Sequence, residues 1–134
     1  KLTGLMGRWQ TLRSKPTVIC DTGHNVGGWE HLAEHLKVLR QYCGQIYMIV
    51  GMVNDKDIDG VLSLMPQDAF YFFTQASVEK AMRHGLSGTL CDTVQDAVEK
   101  ALRRARENDL IFIGGSTFIV ADALPLFMKE DEYK

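Results

Sequence analysis

Cysteine is scarce in this 134-residue chain, and its three copies, Cys20, Cys43 and Cys91, have no CxxC spacing. An odd number of cysteines without that spacing does not read as a disulfide framework. Each cysteine sits in or beside an apolar segment, which predicts reduced, buried thiols and favours the cytosol. Charge is balanced at a net −2, with 15 basic and 17 acidic residues. No basic surplus marks a nucleic-acid partner, and no like-charge run reads as a tail. No apolar stretch approaches the roughly 18 residues of a membrane span, and the N-terminus has no signal-peptide pattern. Repeats, low-complexity segments and linkers are missing too. With 46% hydrophobic residues the chain reads as one domain with a proper core.

Several familiar site motifs are equally absent. There is no GxxxxGK[ST] phosphate cradle. No GxGxxG occurs, and Gly23-x-x-x-Gly27-Gly28 has the wrong spacing for a dinucleotide. No GxSxG elbow marks an α/β-hydrolase. A phosphoaspartyl centre could use Asp21, but the second acid two residues later is missing.

What is present is the stretch Val18 to Gly28. An apolar, β-branched run stops at Asp21, a loop of Thr22-Gly23-His24-Asn25 follows, and an amphipathic segment starts at Trp29. A buried strand thus delivers Asp21 to its carboxyl end, the position where open α/β sheets bind ligands. The glycines allow close backbone approach, and a helix start favours anions.

The rest of the chain builds the sheet behind that loop. Gly7 to Arg13 predicts a short edge strand, and Thr17 to Cys20 the first buried one. Leu32, Ala33, Leu36 and Leu39 predict a helix over 29–42, with Gly44 as its stop. Further strands are predicted at 45–52, 69–74, 89–91 and 109–113, and helices at 58–65, 78–84, 93–107 and 118–128. Strands written as continuous apolar runs alternate with helices, the pattern of a parallel sheet covered on both faces. The fold class predicted is a Rossmann-like, three-layer α/β domain, with a mostly parallel sheet and one antiparallel edge strand.

Four loops should then meet on one rim: 21–28, 53–57, 74–77 and 114–117. Asp21 and His24 are the residues hardest to explain there without a ligand or a partner. Gly114-Gly115-Ser116 reads equally as a tight turn with Ser116 capping a helix. A metal-dependent hydrolase could recruit Asp21, His24, Asp55 and Asp57 as hard ligands. A non-catalytic binding module with Asp21 paired to His24 is a third class.

Asp21-Thr22-Gly23-His24-Asn25 resembles the D-x-x-H-N signature opening the C-terminal domain of Mur-type ligases, most closely the form found in folylpolyglutamate synthase/dihydrofolate synthase. Gly4-Leu5-Met6-Gly7-Arg8 resembles the segment that enters this domain. Val50-Gly51-Met52 with Asp55-Lys56-Asp57, and Gly114-Gly115-Ser116, resemble later landmarks in the same order. Thr22 and Val26 depart from the signature but conserve loop shape. Lys80 stands where relatives carry an arginine, and a lysine has no bidentate fork, so it stays outside the expected site. The connector from Lys80 to Gly88 is also shorter than in relatives.

The resemblance implies the C-terminal domain of a longer, ATP-dependent amide ligase, with the opening Lys1-Leu2-Thr3 read as the interior of that chain. ATP would phosphorylate the carboxylate of dihydropteroate or a folate, and the amino group of L-glutamate would attack the acyl phosphate. By the family's pattern Arg8 would contact the ATP phosphates and Asp21 the ribose. His24 would be the catalytic-cleft residue near the transferred phosphate and the incoming amine. Lys56 and Ser116 would lie on the glutamate side. Mg²⁺ would be bound mainly by the central ATPase domain, the partner of this one, so the domain alone is expected to be inert. A Mur-type ligase acting on a cell-wall precursor is the nearest alternative.

Overall fold

The computed structural model of the chain describes residues 8–51, 58–74 and 78–127. Strands β1 (Gln10–Ser14) and β2 (Thr17–Asp21) form a hairpin, followed by α1 (Val26–Arg40), β3 (Ile46–Val50) and α2 (Ile58–Leu64). Then come β4 (Phe70–Phe73), α3 (Val78–Arg83), β5 (Gly88–Leu90), α4 (Val94–Arg104), β6 (Leu110–Gly114) and α5 (Thr117–Phe127). The strands make one sheet in the order β1-β2-β6-β3-β4-β5. Only β1 runs antiparallel to its neighbour, as the sequence predicts.

The continuous apolar strands work because successive side chains point to opposite faces. Ile46, Met48 and Val50 of β3 enter one core with Trp29, Leu32 and Leu36 of α1 and Val61 and Leu62 of α2. Tyr47 and Ile49 of the same strand enter the other, with Val98 and Ala101 of α4 and Val120 and Ala123 of α5. In β6, Leu110 and Phe112 divide from Ile111 and Ile113 in the same way. Each fully buried Val, Leu, Ile, Met or Phe side chain here contributes about 1.5–3 kcal/mol. At the amino ends of the strands, buried Asp109 staples the sheet. Its Oδ1 accepts from the Gln45 N–H at 2.8 Å and its Oδ2 from the Arg106 N–H at 2.7 Å.

Several boundaries differ from the predicted ones. Helix α1 begins at Val26 rather than Trp29, because Asn25 is its N-cap and Gly27 and Gly28 complete the first turn. It ends at Arg40, with Gln41 as C-cap. Gly44, expected as the stop, instead ties the segment before β3 to the segment before β6 through a bond from its N–H to the Asn108 carbonyl. Helix α4 stops at Arg104, where Ala105 turns extended. Thr93 caps its other end by accepting from the Asp96 N–H. The short connector after α3 closes through Gly85 at φ 83°, with the Leu86 N–H returning to the Ala81 carbonyl. Cys20 and Cys91 are buried as expected, Cys43 only half so, and all three are free. No helix among the described residues is long and apolar enough to cross a membrane.

Candidate functional site

The parallel register brings the strand ends together. Asp21 of β2 stands beside Gly114 of β6, which stands beside Val50 of β3, and Phe73 of β4 follows. Hydrogen bonds carry this rim one residue further, from the Gly51 N–H to the Gly114 carbonyl and from the Thr74 N–H to the Val50 carbonyl. The strands that lead into all four expected loops therefore end on one edge. Positions 52–57 and 75–77, including Asp55, Lys56 and Asp57, lie outside the described residues.

The chain leaves β2 for the α1 face of the sheet and leaves β6 for the α5 face. A crevice opens between two such diverging loops. Two glycines let them run close. A Cβ on Gly114 would lie 2.7 Å from the Asp21 carbonyl oxygen, and Gly115 adopts a left-handed φ of 100°.

Asp21 is held from both sides. Its Oδ1 accepts the Gly23 N–H at 2.7 Å and its Oδ2 the Trp9 N–H at 2.8 Å. Trp9 takes a left-handed φ of 44°, and its ring meets His35 edge-on at 4.8 Å. A carboxylate offers about four acceptor positions, so two remain for a ligand. Asp21 is not paired with His24, which removes the structural reason for a binding module built on that pair. The His24 Nδ1 instead lies 3.3 Å from the Thr22 carbonyl, a contact it makes as donor, which leaves Nε2 to the cleft or solvent.

Asn25 turns the chain into α1, its Oδ1 accepting the Gly28 N–H at 2.8 Å. The first turn of α1 carries no acidic residue of its own, so its positive end opens on the same cleft as the Asp21 carboxylate. Arg8, Trp9, Asp21, His24, His31 and His35 line a cleft of about 350 Å³ at this point. Sequence reasoning placed Arg8, Asp21 and His24 here but missed Trp9, His31 and His35. The available signal was spacing, since residues 28, 31 and 35 fall on one stripe of helix period.

Ser116 sits at the end of β6 and is 2% exposed, its Oγ accepting the Ile119 N–H at 3.3 Å. It is thus the cap of α5, one of the two roles the sequence allowed. No three His, Cys, Asp or Glu side chains among the described residues are grouped to hold a metal. The donor set needed for metal hydrolysis is therefore not found in the described residues, and its Asp55 and Asp57 lie beyond them. A second cleft of about 350 Å³ lies at the opposite rim, beside the Arg40–Asp68 ion pair. It contains neither a strand carboxyl end nor a glycine loop.

Architecture and rim together define a Rossmann-like α/β domain with a polar cleft at its topological switch point. Residues 7–117 match the family described as Mur ligase, glutamate ligase domain, and the chain belongs to that family. A dihydrofolate synthase/folylpolyglutamate synthase of Escherichia coli (strain K12) is 31% identical over 127 residues, covering 90% of this chain and 30% of the relative. The structure of E. coli FolC in complex with DHPP and ADP is similar over 91% of this chain and 31% of that one, with TM-score 0.79 and 28% identity. A bifunctional folylpolyglutamate synthase/dihydrofolate synthase with Mn, AMPPNP and L-glutamate bound gives TM-score 0.79 and 25% identity over 96% of this chain and 33% of that one. The chain therefore spans about a third of the relatives' length.

Proposed function

We propose that this chain is the closing domain of an ATP-dependent ligase that joins L-glutamate to dihydropteroate or a folate through an acyl phosphate. The observation that carries the reading is the Asp21 carboxylate, fixed by two backbone N–H groups in a cleft that also holds Arg8 and His24. Its two remaining acceptor positions suit the paired hydroxyls of a ribose. The Arg8 guanidinium suits phosphate charge. The α1 N-terminus, whose first turn carries no acid, adds a second anion-favouring element on the same side.

His24 would face the transferred phosphoryl group and the incoming amine through Nε2, with Nδ1 anchored on the Thr22 carbonyl. Lys56 and Ser116 are assigned to the glutamate side on the family resemblance. The Ser116 Oγ already accepts one N–H as the cap of α5, which leaves its O–H and one further acceptor position. No phosphate cradle exists in these 134 residues, so the triphosphate would be held by a preceding domain. On the family resemblance, the divalent ion would be held mainly there too. Closing this domain over that one would shield a hydrolysable acyl phosphate from water. In this reading the protein works in the cytoplasm, with no nucleic-acid or membrane partner.

Isotope transfer in the full-length ligase tests the intermediate. With both carboxylate oxygens of dihydropteroate labelled with ¹⁸O, each turnover is expected to deliver one ¹⁸O into inorganic phosphate. Unlabelled phosphate would rule the acyl phosphate out.

A further inference from the structure

Both tryptophans of the chain converge on the Asp21 turn. Trp29, fully buried in the first turn of α1, packs edge-on against Phe112 of the central strand β6 at 5.5 Å and 70°. Trp9 approaches the same ring at 6.4 Å. Each sends one N–H into the turn. The Trp9 backbone N–H goes to Asp21 Oδ2, and the Trp29 Nε1–H goes to the Gly23 carbonyl at 3.1 Å.

The second bond has the larger consequence. Gly23 is also the residue whose own N–H holds Asp21 Oδ1. Its N–H and its carbonyl are therefore both anchored, one by the carboxylate and one by the core. A glycine with either anchor removed can reorient its peptides at little cost, because no Cβ restricts it. Leu32 packs beneath the same residue, since a Cβ on Gly23 would lie 3.0 Å from its Cδ1. That contact fills space but gives no direction. Packing alone would be served by any large ring, whereas a buried indole N–H must find an acceptor.

We infer that Trp29 is a positioning residue for the cleft: its indole N–H fixes the Gly23 peptide and, through it, the direction of the Asp21 carboxylate. The inference rests on the reading that Asp21 touches the nucleotide. It places the control of a ligand contact inside the hydrophobic core, on a helix whose polar face supplies the cleft's histidines.

The test uses the full-length ligase with four substitutions. Trp29→Phe keeps a ring and removes the donor. Incorporating 3-benzothienylalanine at position 29 keeps the bicyclic shape with sulfur in place of N–H, which guards against a misfolded Phe variant. Leu36→Ala loosens the same helix and core without touching the turn, and Asp21→Ala removes the positioned group. The readouts are KM for ATP against kcat, and hydrogen exchange at the Gly23 amide.

Losing the donor is expected to speed Gly23 exchange about tenfold and to raise the ATP KM about fivefold, the scale of one hydrogen bond. The value of kcat should change by less than about twofold, and Leu36→Ala should lower the melting temperature while moving neither readout. Unchanged Gly23 exchange in the benzothienyl variant would overturn the inference. So would faster exchange with an unmoved ATP KM, when Asp21→Ala does raise it. If Asp21→Ala itself leaves the ATP KM alone, the nucleotide reading of Asp21 fails and the positioning role fails with it.

Discussion

Asp21 does two jobs with one carboxylate. It closes its own turn through Gly23 and clasps the incoming chain at Trp9, and it still has acceptor capacity to offer. An asparagine cannot stand in quietly, because its NH₂ must face one of the two N–H donors. Asp21→Ala and Asp21→Asn are both expected to lower stability by about 1–2 kcal/mol in urea unfolding. An asparagine variant as stable as the parent would contradict the two-donor clasp. The preceding residue gives a pH signature. Burial, reinforced by the Asp21 charge, pushes the Cys20 thiol from 9.0 up to about 11. The folded state keeps a proton that the unfolded chain has lost, so the stability this group contributes is whole below pH 9 and drains away as pH rises toward 11. The gap corresponds to about 2–3 kcal/mol at most. Burial pushes Tyr71 and Cys91 the same way, so Cys20→Ala should flatten only part of the alkaline slope seen by urea unfolding at pH 8 and 10.5. An unchanged slope would contradict the buried neutral thiol.

Among the elements, α1 shows most clearly what sequence can and cannot announce. Its buried stripe was legible from Leu32 and Leu36, but its start was not. Gly27 and Gly28 read as loop because glycine weakens helix interiors, whereas in a first turn held by the Asn25 cap they are tolerated. Asn25→Ala is expected to cost about 1 kcal/mol through the lost bond to the Gly28 N–H, measured by thermal unfolding. Gly27→Ala should go the other way. Its Cβ would meet nothing closer than the Asn25 Oδ1 at 3.7 Å, so a gain of about 0.5 kcal/mol is expected. A loss there would mean that the first turn is not helical. The cleft's aromatic wall was hidden for a similar reason. His31 and His35 sit among Glu30, Glu34 and Lys37 on what reads as a solvated face. Nothing in Arg8-Trp9-Gln10 marks the left-handed turn that carries Trp9 back to Asp21.

For the whole molecule, the layered sheet was the most legible feature, because strands buried on both faces are written as unbroken apolar runs. Convergence of the strand ends on one rim followed from that parallel arrangement. The inclusion of Arg8, Asp21 and His24 in a single cleft depended further on the hairpin β1–β2, which folds the entering chain back against Asp21. The 134-residue chain, lacking a phosphate cradle, is expected to release no ADP from ATP on its own. The most direct measurement follows ADP release by the full-length ligase with ATP, magnesium and L-glutamate, with and without dihydropteroate or a reduced folate. Parallel reactions use Arg8→Ala, Asp21→Ala and His24→Ala. Release that requires both the pterin acid and glutamate, and falls at least about tenfold in each variant, the scale of one charged contact, is the expected result. Release indifferent to both acids, or variants that turn over like the parent, would contradict the account.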